Sequence, residues 1–171
     1  MSADQPTEPW LGGTFTEIHP VMRAVLHALE LAKEDIEKWC GDISDGELNA
    51  KSAGIAPVAF HLRHIARSVD RLLTYAEGNN LSEEQLAALK TELDPGATRQ
   101  ELFSEFHLAL EKAAARIRAF DPSQLAEVRK VGKMELPTTV GGLLVRVADH
   151  TQRHVGQAIT TAKIINAQRA V

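Results

Sequence analysis

Cysteine is almost absent from this sequence of 171 residues, in which Cys40 is the single example. One cysteine excludes an internal disulfide framework and a metal site built from several cysteines. The sequence also has no block rich in lysine and arginine, and its formal net charge is -4. A protein that follows nucleic-acid phosphates needs a basic surface, so we expect no nucleic-acid partner.

Long apolar runs are absent as well. No run approaches the roughly 20 residues that cross a bilayer, and the first twenty residues lack a charged region followed by an apolar one. We therefore expect no membrane association and a cytoplasmic location. Cys40, next to Trp39, is predicted to be a small, partly buried hydrophobic residue rather than a reactive thiol, because no fixed base adjoins it in the sequence.

The composition is that of a folded protein, with 44% hydrophobic and 25% charged residues. A chain of this length accommodates one domain with a sizeable core. We predict an N-terminal extended segment at 1–15 and a single helical domain at 16–171.

Apolar residues recur at three- and four-residue spacings in four long segments, which predicts four amphipathic helices. Their expected first or capping residues are Pro20, Pro57, Thr98, and Thr138 or Thr139. The last helix is expected to run to about Asn166. A short extra helix is predicted after Ser82, where Ser82 and Gln85 form a capping-box pattern.

The connecting segments are predicted to be irregular. The stretch CGDISDGELNAKSAG, residues 40–54, is polar and indicates a loop with nothing to bury. The stretch RKVGKMELPTT, residues 129–139, has no helical period and indicates an extended crossover before the last helix. Without a convincing pair of strands, the predicted fold class is all-α, a four-helix bundle.

Two of the seven histidines, His150 and His154, fall in the middle of the apolar arc of the last predicted helix, so we expect both rings to point into the bundle. Residues four apart lie one turn apart on one face, so both rings can reach one ion about 2 Å from each nitrogen. A buried imidazole also needs hydrogen-bond partners. The pair is therefore either part of a metal site or a hydrogen-bonded pair of core histidines.

The second predicted helix carries two further histidines that could supply a third ligand. His61 lies on the flank of its apolar arc and His64 lies further round, so the geometry of this helix alone slightly favours His61. The other three are weaker candidates: His27 is expected to be solvated, His19 to lie at a helix start in a capping or rim role, and His107 to be a boundary residue.

The segments HLRHIA, residues 61–66, and HTQRHVGQ, residues 150–157, resemble the DinB-like superfamily of metal-dependent four-helix bundles. The resemblance covers roughly residues 16–167 and implies His64, His150 and His154 as ligands of a divalent transition ion, with nickel, zinc, iron and manganese all found in the family. The extra His61, one turn before His64, is then a partner of a ligand, a substrate-facing base or a replacement ligand, and we favour the first two.

The resemblance also implies a function. Family members include S-transferases for low-molecular-weight thiols, in which the ion holds the thiol as a thiolate for attack on an electrophile. His61 would be a proton acceptor, and Arg146 and Arg153 could meet a carboxylate of either substrate. A metal-dependent hydrolase, or a non-catalytic metal-binding protein of the stress response, would use the same residues. The family's bundles commonly form homodimers, which we also expect here.

Overall fold

The computed structural model describes residues 7–52 and 54–169. Its elements, in chain order, are α1 (Pro20–Cys40), α2 (Asp45–Leu48), α3 (Val58–Ala76), α4 (Glu83–Lys90), α5 (Arg99–Arg118), β1 (Val128–Val131), β2 (Leu136–Thr139) and α6 (Val140–Arg169). Single 3-10 segments at Pro9–Leu11 and Pro122–Ala126 precede α1 and β1 respectively.

The four long helices α1, α3, α5 and α6 form the predicted bundle, and α6 packs against both α1 and α3. Its core consists of large apolar side chains that are almost completely buried, among them Leu62, Leu73, Phe106 and Leu144. Burial of each such side chain stabilises the fold by about 1.5–3 kcal/mol. Within the described residues, none of the helices is both long and apolar enough to cross a bilayer.

The predicted helix starts are confirmed where a side chain caps the first turn. Ser82 and Gln85 form a reciprocal capping box at α4, and Thr98 and Glu101 form another at α5. The hydroxyl of Thr139 accepts a hydrogen bond of 3.0 Å from a backbone amide in the first turn of α6. These caps satisfy amides that the helix itself leaves without partners.

The crossover before α6 differs from the prediction, because it contains a pair of strands. Strands β1 and β2 pair in antiparallel register, with Val128 opposite Thr139 and Val131 opposite Leu136. The turn between them is made by Gly132, whose φ is 70°, and by Glu135, whose φ is 50°. The strands are only four residues long and half exposed, so an alternating apolar pattern is not visible in the sequence.

The prediction that residues 40–54 have nothing to bury is wrong. This stretch contains the short helix α2, at whose start the carboxylate of Glu47 accepts hydrogen bonds from the backbone amide of Ser44, at 3.1 Å, and from the Ser44 hydroxyl. Ile43 and Leu48 are 2% and 0% exposed and join the core of the bundle. Two isolated apolar residues carry no periodicity, so their burial depends on how this segment folds back on the long helices.

The N-terminal part explains why the expectation of a solvated His27 is wrong. Residues 1–6 of the predicted extended segment lie outside the described residues, whereas Pro9–Leu11 form one 3-10 turn. Thr14 and Phe15 then cover His27, which is only 6% exposed. Its Nε2 lies 3.0 Å from the Thr14 hydroxyl, and its ring stacks on Phe15 with centroids 5.4 Å apart. Residues before the first helix therefore bury a position that a helical wheel assigns to solvent.

Cys40 lies at the end of α1 and is fully buried, deeper than the partly buried position that the sequence predicted. Burial raises the pKa of its thiol to about 12. The residue is thus protonated at neutral pH and is not a nucleophile, because the thiolate is the reactive form.

Candidate metal centre

Three histidines from two helices converge at one side of the bundle. His64 on α3 and His150 and His154 on α6 each offer a ring nitrogen, and these nitrogens all lie within 4.8 Å of one another. The Nε2 atoms of His64 and His150 are 2.9 Å apart. Two imidazole nitrogens bound tetrahedrally to one ion at about 2.0–2.1 Å would be about 3.3–3.4 Å apart, so a shift of a few tenths of an ångström lets the two rings share an ion.

The packing of α6 determines how deep the pair lies. The fully buried positions of this helix include Val147, Thr151 and Val155, which face the core. His150 and His154 lie beside them, half buried, at the contact with α3. The prediction that both rings lie in the middle of the buried face is therefore wrong: they flank the core, and they meet His64 where the site is partly open to solvent.

The surroundings hold both α6 histidines in the neutral form at pH 7. Burial, followed by the proximity of His154, lowers the pKa of His150 to about 4. Burial, followed by the proximity of His64, lowers the pKa of His154 to about 4 as well. A neutral imidazole has a lone pair available, which is the form that binds transition metals.

A buried carboxylate lies behind His64. Oε2 of Glu92 is 2.6 Å from Nδ1 of His64, and Oε1 of Glu92 is 2.8 Å from Nη1 of Arg71. Glu92 is only 5% exposed. Burial is the largest effect on this carboxyl group and raises its pKa, but the hydrogen bonds from His64 and Arg71 together outweigh it, so the pKa lies below its ordinary value.

His61 contacts the cluster from the other side without joining it. Its Nδ1 is 3.1 Å from Nδ1 of His154, and the residue is 4% exposed. Burial, followed by the positive charges that His154 and His64 would carry, lowers its pKa to about 4. The structure therefore places the nitrogen of His64, and not that of His61, with those of the α6 pair.

A cavity of about 470 Å³ is lined by His61, Phe60 and Arg153, which are neighbours of the cluster, but by none of the three clustered histidines. The ring of Phe60 stacks on that of His64 with centroids 5.2 Å apart. At Gly156, on the same wall, a Cβ atom would meet no other atom of the described residues within 4 Å. This open space is large enough for a small organic molecule. Its walls include Phe60 and His61, whose rings contact those of His64 and His154.

Two arginines on α6 lie at the exposed edge of this site. Nη2 of Arg146 is 3.3 Å from Nδ1 of His150, and Nη2 of Arg153 is 3.2 Å from the carboxylate of Asp149. Arg146 also pairs with Asp149. Because a guanidinium group only donates hydrogen bonds, Arg146 holds Nδ1 of His150 as an acceptor.

Two histidines keep the structural roles that the sequence indicated. His19 is the capping residue of α1, and its Nδ1 accepts a hydrogen bond of 3.3 Å from the backbone amide of Val21. His107 is a boundary residue with a side chain 29% exposed, and its Nε2 lies 3.2 Å from Oε1 of Glu37 without hydrogen-bond geometry. Neither residue belongs to the cluster.

The sequence reasoning missed Glu92, Arg71 and Phe60. Arg71 lies seven residues after His64, so the two side chains share one face of α3. A charged residue on the same helix face as a candidate metal ligand is a pattern that the sequence shows. Phe60 lies four residues before His64 on the same helix. Glu92 had no comparable signal, because it stands among other polar residues after a short helix.

The fold and the cluster together define a class: a four-helix bundle with three histidines between its second and last long helices. The chain belongs to the DinB superfamily, whose sequence profile matches residues 28–158. The fold is similar to that in a crystal structure of a conserved protein from Enterococcus faecalis, with 18% sequence identity, 88% of this chain and 99% of that chain covered, and a TM-score of 0.72. At this identity the likeness shows the fold alone. No curated protein sequence matches the chain.

Proposed function

We propose that His64, His150 and His154 bind one divalent transition ion and that the chain is a metal-dependent enzyme that transfers low-molecular-weight thiols to electrophiles. The observation that carries this proposal is the convergence of three imidazoles, with a cavity nearby that their neighbours His61 and Arg153 line. Three protein ligands leave a coordination position for a substrate, whereas a structural site is closed by four. Imidazole suits nickel, zinc, iron and manganese to different degrees, so the donor set does not select one of them.

The reaction needs a thiolate and a place for both substrates. An ion bound by the three histidines would lower the pKa of a coordinated thiol and so supply the nucleophile. In the overall step, sulfur loses its proton and forms a bond to carbon, while the leaving group departs with the electron pair of the broken bond. The products are a thioether, the leaving group and one proton.

His61 supports this site through His154. If His154 presents Nε2 to the ion, its Nδ1 carries the proton and donates a hydrogen bond to Nδ1 of His61 across the 3.1 Å contact. The neutral His61 then carries its own proton on Nε2. In this arrangement His61 orients His154, and its Nε2–H group is a hydrogen-bond donor. His61 could accept a proton only by becoming charged, which its buried position disfavours.

The cavity beside the cluster would hold the substrates. Phe60 offers an apolar wall, and Arg153 offers a charge at the rim. The side chain of Arg153 is 54% exposed and its partner Asp149 is 50% exposed, so a substrate carboxylate could replace Asp149 at little cost. This fits a thiol or an electrophile that carries an anionic group.

The test is activity of protein loaded separately with each of the four metals. A panel of low-molecular-weight thiols is offered with monobromobimane, and formation of the thioether is followed by fluorescence. We expect turnover with at least one metal and one thiol, loss of turnover in His154→Ala, and retention in His107→Ala, whose ring lies outside the cluster.

Equal inertness of folded wild type and His154→Ala across the panel contradicts the transferase proposal. If the inert wild type still binds one ion per chain, a non-catalytic metal protein is the correct interpretation. Metal-dependent cleavage of an ester without any thiol would instead identify a hydrolase.

A further inference from the structure

The contact between Glu92 and His64 assigns a role to a residue outside the three-histidine cluster. We propose that Glu92 is a positioning residue that keeps the proton of His64 on Nδ1, so that Nε2 faces the cluster with a free lone pair. The inference rests on the proposed metal site and explains how one of its ligands is prepared before an ion arrives.

The direction of the hydrogen bonds follows from the chemistry of the partners. An ionised carboxylate only accepts, so at 2.6 Å from Oε2 of Glu92 the Nδ1 atom of His64 must donate. A neutral imidazole carries one proton, which leaves Nε2 without one. The other tautomer would bring two acceptors together at this short distance, and it would place a proton where the ion is bound.

Arg71 completes the arrangement. It donates to Oε1 of Glu92 at 2.8 Å, and its side chain is only 11% exposed. The carboxylate is therefore compensated on one oxygen by a fixed positive charge and engaged on the other by His64. Leaving a buried carboxylate with neither partner is costly, so the charge on Glu92 is retained by these contacts.

The segment that carries Glu92 is held in place by polar contacts rather than by apolar burial. Helix α4, which the structure describes throughout, has no buried residue. Three arginines spaced four apart on α3 donate to this segment: Arg63 to the carbonyl oxygen of Asp94, Arg67 to that of Ala88, and Arg71 to Glu92. Because these contacts fix the segment along α3, Glu92 has one defined place behind His64.

The consequence for the site is a gain in metal affinity. A ring nitrogen bound to a carboxylate orients the imidazole and makes its other nitrogen a stronger donor. Removal of such a partner typically weakens metal binding about 10–100-fold.

The affinity test compares Glu92→Leu and Glu92→Gln with a matched control. Oε1 of Glu105 lies 2.7 Å from Nε of Arg67, so Glu105→Leu also removes an ion pair with an arginine of α3. The side chain of Glu105 is 36% exposed and that of Glu92 is 6% exposed, so the control covers the loss of the ion pair and not the burial. We expect competition with a chelator to show about 10–100-fold weaker binding of zinc by Glu92→Leu. We expect a smaller loss in Glu92→Gln, whose carbonyl still accepts from Nδ1, and no change in Glu105→Leu.

A second measurement needs no variant and no metal. The ring correlations of His64 between ¹H and ¹⁵N in the ion-free wild-type protein identify which nitrogen carries the proton, and we expect Nδ1. A proton on Nε2 of His64, or zinc binding by folded Glu92→Leu as tight as wild type, overturns the inference. If Glu92→Leu does not fold, Glu92→Gln and the wild-type tautomer decide it. Failure of wild type to bind any ion would refute the proposed function instead, and the tautomer would still test Glu92.

Discussion

Substitution of Gly156 by leucine should separate substrate binding from folding. Gly156 is on α6 at the wall of the cavity of about 470 Å³, and a Cβ atom there would have no neighbour among the described residues within 4 Å. Leucine favours a helix over glycine by somewhat less than about 1 kcal/mol. For a chain of this size that raises the melting temperature by about 2 °C. The same side chain occupies space that we assign to the substrates.

The expected loss in substrate binding follows from contact area. If leucine displaces the equivalent of two buried methylene groups of substrate, at about 0.8 kcal/mol each, KM rises by about tenfold. The assay is thioether formation by metal-loaded protein over a range of thiol and electrophile concentrations, together with thermal unfolding and metal content. A variant with higher stability, unchanged metal content and higher KM supports the assignment of the cavity.

The matched control is Gly46→Leu, because a Cβ at Gly46 on α2 also meets nothing within 4 Å in the described part of the chain. It should leave KM and metal content unchanged. Wild-type kinetics in Gly156→Leu would refute the reasoning, since the added side chain would then lie outside the substrate path.

Three further predictions concern charge and burial. The pKa values of His61, His150 and His154 are lowered to about 4 in the folded protein. Below about pH 6.5 the unfolded state therefore binds more protons than the folded state. The stability of the ion-free protein should fall as the pH drops from 7.5 to 5. Equal urea midpoints at the two pH values would contradict this. Arg146→Met should bind zinc more tightly than wild type in chelator competition. The arginine keeps Nδ1 of His150 as an acceptor, which leaves the proton of the neutral ring on Nε2, and it adds a positive charge next to the ion. Weaker binding would show that Arg146 supports the site. His27→Ala should lower the free energy of unfolding by about 1–3 kcal/mol, because the packing on Phe15 and the hydrogen bond to Thr14 are lost. A change below about 0.5 kcal/mol in urea unfolding would indicate that His27 is solvated.

Local features of the fold could be predicted from the sequence. The capping boxes at Ser82 and Thr98 involve residues three apart, and the long helices carry many apolar positions in period. The hairpin, α2 and the burial of His27 could not be predicted in this way. Each depends on a short segment that folds back on the bundle, and four to five residues carry too little periodicity to show it.

In the candidate site, too, only the features that depend on local helix geometry could be predicted from the sequence. His150 and His154 share a helix face, so their proximity follows from local geometry. The choice between His61 and His64 depends on the rotation of α3 against α6, which one helix does not reveal, and it was the family resemblance that favoured His64. Glu92 reaches His64 across 28 positions of sequence, through a segment held by arginines. Contacts of this kind become visible only when the chain is folded.

The central claim is that three histidines bind one ion, and the metal content of the purified, reconstituted protein tests it most directly. We predict one zinc per chain in wild type and in His107→Ala, and none retained after desalting in His64→Ala, His150→Ala or His154→Ala when each remains helical. Stoichiometric zinc in folded His64→Ala, together with its loss in His61→Ala, would contradict the assignment of the third ligand. Absence of bound metal in the wild type would contradict the site itself.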